Sequence, residues 1–472
     1  MPKPCYGDEN PIAALATAPG ESALALIRCS GAGCVELLSK VFSRPVKLRS
    51  AGGNSVVHGW IQGPRNEGSP LFLVDEVLIS VYRAPRSYTG EEGADISCHG
   101  GIATVRALMD VLRTAGFRDS LPGEFSFRGF MNGKLDLTRS ESVMELVQAR
   151  TDEGRRHAVA RLSGRLREEV SALKGSLLEI LAETELHLDY DETELSLPGE
   201  AEEGLPGRER VEGVLKRLRT LAGTWGRERL YQEGALAVIA GRPNAGKSSL
   251  FNALLGEDRS IVTEIPGTTR DWIEATVSIG GIPLRLADTA GLRGAGESGA
   301  ADQVERIGIQ KSRELLEQAD LVLYVIDGSR GLRDDKDALP TAPGTAPFFL
   351  LWNKADIAPD PPPGAFLPLS AKTGQGLAEL CGAIAGALER RAGPGGELSR
   401  DGAALGTERQ KELVDRAAAA LEETLNLANR GEALELIAPC LREAVDALGE
   451  ITGEVSTAEI LETIFSKFCV GK

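Results

Sequence analysis

The stretch "LAVIAGRPNAGKSSLFNALLG", residues 236–256, restricts the fold more than any other part of the chain. A continuous apolar run feeds Gly241-x-x-x-x-Gly246-Lys247-Ser248, and a helix-forming run leaves it. A loop of this kind binds phosphate only if its backbone N–H groups curl round the anion and the next helix points its N-terminus at the same place. The chain therefore has to enter on a buried strand and leave on a helix, as in a parallel sheet with helices on both faces. Further runs, "LRLADTAG", "LVLYVIDG" and "FFLLWNKAD", repeat the pattern, each ending in a polar or glycine-rich turn. In the loop, Asn244, Ala245, Gly246 and Ser249 line the phosphates, Lys247 meets their β/γ oxygens, and Ser248 offers a hydroxyl to Mg2+.

Downstream motifs specify the nucleotide as GTP. "NKAD", Asn353, Lys354, Ala355 and Asp356, ends an apolar run, and the Asp356 carboxylate can accept from guanine N1 and N2 where adenine has no matching donor pair. Asn353 is expected at the opposite base edge. "SAK", Ser370, Ala371 and Lys372, backs the base with a main-chain amide. "DTAG", Asp288, Thr289, Ala290 and Gly291, puts an acid near the metal and an amide near the γ-phosphate, and Thr269 in "PGTTRD" supplies a second Mg2+ hydroxyl. The residue after DTAG is Leu292, which cannot orient water as a glutamine would. Asn244 offers an amide oxygen beside the phosphates, where a monovalent cation can replace the charge of an arginine finger; the bland reading is an Asx residue stabilising the loop.

The flanks differ in character. A chain of 472 residues exceeds what one core supports. Residues 10–130 mix β-type runs with one helical stretch that stops at Gly116, and are read as an α+β domain. From Leu135 onward, apolar residues recur at helical spacing, and they do so again after the linker "RRAGPGGELSRDG". The expected organisation is an α+β N-terminal domain over 1–132, a discontinuous helical domain over 133–233 and 394–472, and an α/β P-loop domain inserted at 234–393. No apolar run approaches the roughly 18 residues that span a bilayer, and the seven cysteines include no CxxC pair, so a cytoplasmic protein with reduced thiols, no zinc and no membrane contact is expected. A net charge of −16 disfavours diffuse binding of nucleic acid and confines any RNA contact to a local patch or a well-shaped pocket. The arginines of "RRHAVARLSGRLR" are a candidate patch, but more simply a solvated helix face.

These motifs, with "SYTGEE", "PGEFSFRGFMNGKLDLT", "VERIGI", "EITGE" and the final "CVGK", resemble the MnmE/TrmE family of tRNA modification GTPases over essentially the whole chain. The resemblance implies a folate-binding N-terminal domain that also forms a homodimer, and a K+-stimulated G domain. It implies an FAD-dependent partner that completes a heterotetramer. Together they build an aminomethyl or carboxymethylaminomethyl group at C5 of the wobble uridine, with 5-formyl- or methylene-tetrahydrofolate as one-carbon source. It places K+ on Asn244, Thr263, Thr268 and the backbone of Ile265, within a nucleotide-binding segment that also holds Glu264, Pro266 and Gly267. Glu305 in "VERIGI" takes the water-orienting role that Leu292 cannot, its alternative being an exposed helix residue. Arg28, Glu91, Lys134 and Lys472 contact the folate.

Cys469 lies in the terminal "FSKFCVGK". A prenylation box fits poorly, because Gly471 is not aliphatic and Lys472 is not a usual last residue. The helix "STAEILETIFSKF" is expected to pack in the helical domain and deliver the tail to the folate residues. Cys469 is then either a nucleophile or general acid/base towards uridine, or a packed thiol. The alternative function is an RNA- or ribosome-assembly GTPase whose hydrolysis only times binding.

Overall fold

The computed structural model describes residues 6–63, 72–189, 205–257, 274–288, 315–331, 346–393 and 403–472. The chain divides into two compact units, Met1–Met144 with Val445–Lys472, and Glu145–Ala444.

In the first unit, β1 (Ile12–Leu15), β2 (Ser22–Ser30), β3 (Ser55–Gln62), β4 (Leu73–Tyr82), β5 (Gly93–Gly100) and β6 (Arg118–Asp119) form one sheet in the order β3-β4-β5-β2-β1-β6. The pairings are antiparallel except β1 with β6. Strand alternation sets the core: in β4, Val77, Ile79 and Val81 are buried while Glu76 and Leu78 face out. Helices α1 (Cys34–Lys40) and α3 (Ile102–Ala115) cover the inner face through Cys34, Val35, Leu38, Leu108 and Leu112. Helix α2 (Pro45–Arg49) precedes β3, and α4 (Glu124–Met131) follows β6. The last helix, α13 (Ala458–Phe465), is capped by Thr457 and packs on α4. Phe465 and Phe468 meet Phe127, Phe130 and Leu137 there, with the Phe127 and Phe465 rings edge-on at 5.5 Å. Leu137 and Met144 of the expected helical segment share this cluster, and the phenylalanines of the helix find further aromatic partners on α4.

In the second unit, α6 (Asp152–Leu162), α7 (Arg165–Asp189) and α8 (Arg208–Glu233) precede the second sheet, and α11 (Glu408–Asn429) follows it and packs along α8. Helix α5 (Leu137–Gln148) and helix α12 (Leu434–Thr452) each run across the boundary at residues 144 and 444 in the chain. The second sheet has the order β12-β11-β10-β7-β9-β8, built from β7 (Ala235–Gly241), β8 (Glu274–Ile279), β9 (Ile282–Asp288), β10 (Leu321–Asp327), β11 (Phe348–Asn353) and β12 (Phe366–Pro368). All neighbours are parallel except the edge strand β8, which the sequence reading did not include. The sheet lies between two apolar layers, one formed with α9 (Lys247–Glu257) and α10 (Leu377–Ala392).

One polar cluster is buried among the helices. Arg161 is 1% exposed; its Nη1 lies 2.7 Å from Glu228 Oε2 and its Nη2 2.6 Å from Glu145 Oε2. His157 Nδ1 is 2.7 Å from the same Glu228. Arg155 and Arg156, by contrast, are exposed and pair with Asp152. The arginine run is therefore part solvated face, as expected, and part buried strut, which was not.

Among the described residues no helix is long and apolar enough to cross a membrane.

Candidate functional site

The nucleotide-type site is assembled where β7, β9 and β11 end. Burial of β7 from Ala235 to Ala240 fixes the loop Gly241–Gly246 at its exit, and α9 starts at Lys247. Lys247 Nζ donates to the carbonyls of Gly241 and Arg242 at 3.0 and 2.9 Å, which holds the ammonium across the loop. Ser248 Oγ donates to Asp288 Oδ2 at 3.0 Å. Two hard oxygens at that separation, one from the loop and one from β9, suit a Mg2+ ion.

Asn353 ties three motifs together. Its Nδ2 donates to Ala245 O in the loop at 2.8 Å, and its Oδ1 accepts from Ala371 N of "SAK" at 3.0 Å. Both ends of the amide expected at the base edge are thus engaged inside the protein. This approach needs a glycine opposite: Gly246 has φ +98°, and a Cβ there would lie 2.1 Å from Asn353 Nδ2. Asp356, three residues on, is exposed at the rim with Lys372, while Ser370 is fully buried and receives Thr373 N on its hydroxyl at 3.3 Å. Lys354 Nζ sits 2.6 Å from Asp327 Oδ2. Burial alone raises the Asp327 carboxyl pKa, but the bonds from Lys354 and Ser329 outweigh it and bring it below its ordinary value. The sequence reading passed over Asp327; the polar end of the run "LVLYVID" was the signal.

Asn244 is exposed with φ +64°. Asparagine tolerates this left-handed conformation better than other non-glycine residues, so the loop geometry by itself accounts for its presence. Ala245 is buried and Ser249 exposed, beside the loop. Thr263, Glu264, Ile265, Pro266, Gly267, Thr268, Thr269, Thr289, Ala290, Gly291 and Glu305 lie outside the described residues.

A second site lies within the first unit. A cavity of about 490 Å³ is lined by Arg28, Tyr82, Tyr88, Asp95, Phe125 and Lys134, among others. Cross-strand register sets its charged pair: Arg28 on β2 faces Asp95 on β5, and Arg28 Nε donates to Asp95 Oδ1 at 3.1 Å. The guanidinium lies 5.4 Å from the centre of the Tyr88 ring and 6.0 Å from that of Phe125. Burial raises the Tyr88 phenol pKa, and burial followed by the charge of Asp95 does the same to Tyr82, whose hydroxyl donates to Asp95 Oδ2 at 3.3 Å. Lys134 is exposed, with its stem over Gly90. Glu91 is turned elsewhere, taking bonds from Ser30 Oγ at 2.8 Å and Arg128 Nη1 at 3.1 Å. The carboxylate lining the cavity is therefore Asp95, which with Tyr88 and Phe125 the sequence reading missed.

The chain terminus reaches the same place. Arg28 Nη1 donates to Gly471 O at 3.4 Å, and Gly123 N to Cys469 O at 3.2 Å. Phe468 is buried, Cys469 exposed and Lys472 half-buried. Among the described residues no group of three or more His, Cys, Asp or Glu could hold a metal ion.

A parallel sheet carrying Gly241–Ser248 at a strand-to-helix turn, with NKAD and SAK bound to that turn through Asn353, defines a P-loop GTPase domain inserted among helices. Residues 137–469 match the family described as the MnmE helical domain, and residues 11–134 match that described as the GTP-binding protein TrmE N-terminus. The tRNA modification GTPase MnmE of Treponema denticola is 39% identical over 485 residues, 99% of each chain. That of Thermus thermophilus is 40% identical over 463 residues, 98% of this chain and 99% of its own. Among solved structures, a point variant of Aquifex aeolicus Era bound to GDP and aluminium fluoride is 25% identical over 39% of this chain and 66% of its own, with a TM-score of 0.26. The chain belongs to the MnmE family.

Proposed function

We propose that this protein hydrolyses GTP and, with an FAD-dependent partner in a heterotetramer, builds a carboxymethylaminomethyl or aminomethyl group at C5 of the tRNA wobble uridine, in the cytoplasm. The observation that carries the reading is the Asn353 tie: it joins phosphate loop and base-side loop into one unit, in a chain that belongs to this family. Asp356 accepts from the guanine edge, with a main-chain amide of the Ser370–Lys372 segment behind the base. Lys247 turns from its loop carbonyls to the phosphates. Ser248, through its hydroxyl beside Asp288, and Thr269 hold Mg2+, which when bound draws charge from the β- and γ-phosphate oxygens. Asn244, Thr263, Thr268 and the backbone of Ile265 hold K+, and Glu305 orients the attacking water.

The cavity beside Arg28 is assigned to 5-formyl- or methylene-tetrahydrofolate, in a homodimer formed through the N-terminal domain. Arg28 and Lys134 suit the carboxylates of a glutamate tail, and Tyr88 and Phe125 suit a flat ring. Asp95 lines the cavity where Glu91 was expected, and its carboxylate suits the pterin's donor edge. Lys472 and Cys469 belong to the same site, and the Cys469 thiol is the nucleophile or general acid/base offered to the uridine ring.

Titration of purified protein with 5-formyl-tetrahydrofolate, alongside GTP turnover, tests the reading. Saturable folate binding at the Arg28 cavity, lost in Arg28→Ala, is expected. GTP turnover without binding of any tetrahydrofolate favours an RNA-assembly switch instead.

A further inference from the structure

The guanidinium of Arg28 serves two partners from one place. Nε is taken by Asp95 at 3.1 Å, the plane rests near the Tyr88 and Phe125 rings, and Nη1 points to the carbonyl of Gly471. A planar fork clamped at Nε and beside its face has little freedom left in the direction of Nη1. Asp95 is itself held, by the β2–β5 ladder and by Tyr82 at 3.3 Å.

The tail is docked almost wholly through its main chain. Gly471 has φ +91°, and a Cβ on it would lie 2.8 Å from Leu15 O and 2.9 Å from Ala16 Cα. Gly123 N binds Cys469 O at 3.2 Å. Between these points the Cys469 and Val470 side chains are exposed, so the docking fixes the backbone and leaves the thiol presented.

We propose that Asp95 is a positioning residue that, by orienting Arg28, docks the C-terminal tail at the cavity and so fixes where Cys469 stands. Without the carboxylate the guanidinium turns away, Gly471 O loses its donor, and the tail detaches from the end of β1. The docking rests on the reading of the cavity as a binding site in one respect: an occupant drawing on Arg28 shares it with the tail and shifts the docking.

The test follows release of Lys472 from the full-length protein by a carboxypeptidase selective for basic termini, read by intact mass, with hydrogen exchange at Gly123 N as second readout. Losing a hydrogen bond to a charged group predicts about tenfold faster release in Asp95→Asn. Asp95→Glu restores a rate near the original, which loss of packing alone would not do. Gly471→Ala, which undocks the tail from its own side, matches Asp95→Asn. Should Asp95→Asn fail to fold, Tyr82→Phe decides, with a twofold to threefold rise expected on the order of one weakened bond. An unchanged rate in whichever of these variants folds, with Gly471→Ala fast, overturns the proposal. Faster release in the variants, with no binding of 5-formyl-tetrahydrofolate, overturns the folate reading and leaves the docking standing. Folate binding with unaltered release in all Asp95 variants does the reverse.

Discussion

Replacing Arg161 with Met removes one charge from the centre of the second unit while keeping most of its aliphatic volume. Glu228, 0% exposed at its side chain, then loses the guanidinium and keeps the His157 contact at 2.7 Å, while Glu145, 8% exposed, loses the bond from Nε at 2.7 Å and the ion-pair contact with Nη2 at 2.6 Å. The site cannot relax by letting the backbone in: a Cβ on neighbouring Gly406 would already lie 2.0 Å from Glu145 Oε1. Removing one partner of a buried ion pair costs about 3–5 kcal/mol, most of it from the charge left behind. At roughly 2 °C per kcal/mol for a body of this size, melting should fall by about 6–10 °C. Differential scanning calorimetry of the full chain at neutral pH measures this. Acid supplies an internal control through Glu228. Burial raises its pKa, but the bond from His157 and the charge of Arg161 outweigh that and lower it. The unfolded chain therefore takes up the proton first as pH falls, and the stability this carboxylate contributes, complete above its unfolded value of about 4.3, drains away below it. The difference between the original protein and Glu228→Gln should narrow accordingly. Arg161→Met melting within about 2 °C of the original would refute the strut, since so mild a loss does not fit a charge left buried on this scale.

Gly246→Ala places a methyl 2.1 Å from Asn353 Nδ2 at a left-handed φ, so the tie to Ala245 must break. Nucleotide affinity, read by fluorescent GDP titration, should drop by about tenfold or more for the strain and the lost bond. If K+ completes the hydrolytic site, turnover in potassium should exceed that in sodium, and Asn244→Ala should erase the difference; equal rates in both salts count against it. Glu305→Ala should reduce turnover by on the order of a hundredfold with GTP affinity near normal, and unchanged turnover removes the residue from the reaction. Cys469→Ser should abolish uridine modification while leaving GTP turnover intact; normal modification assigns the thiol a packing role.

The inserted domain was legible because a parallel sheet buried on both faces leaves continuous apolar runs, and because a phosphate loop needs its glycines and lysine at fixed spacing. The edge strand β8 escaped, since "EATVSI" pairs antiparallel with β9 and alternates rather than running apolar throughout. The order β3-β4-β5-β2-β1-β6 is set by non-local pairing, which local periodicity does not encode. The same holds for Asp95: only the register of β2 against β5 sets it opposite Arg28. Glu91, nearby in sequence, looked equally suitable until Ser30 and Arg128 proved to hold it. The final helix read as helix, but its partner was decided by Phe465 and Phe468 meeting α4, a match of shape between distant segments. Arg161 looked like its exposed neighbours because a helix seen as a string does not reveal which face Glu145 and Glu228 close over.

The central claim is that hydrolysis in the inserted domain serves uridine chemistry at the Arg28 cavity. Nucleoside mass spectrometry of tRNA from cells lacking this gene, resupplied with the original protein, with Arg28→Ala or with Lys247→Ala, tests it most directly. The account predicts that the C5 substituent on the wobble uridine disappears with the gene, returns with the original protein, and returns with neither variant. An unaltered wobble nucleoside in cells lacking the gene would contradict it.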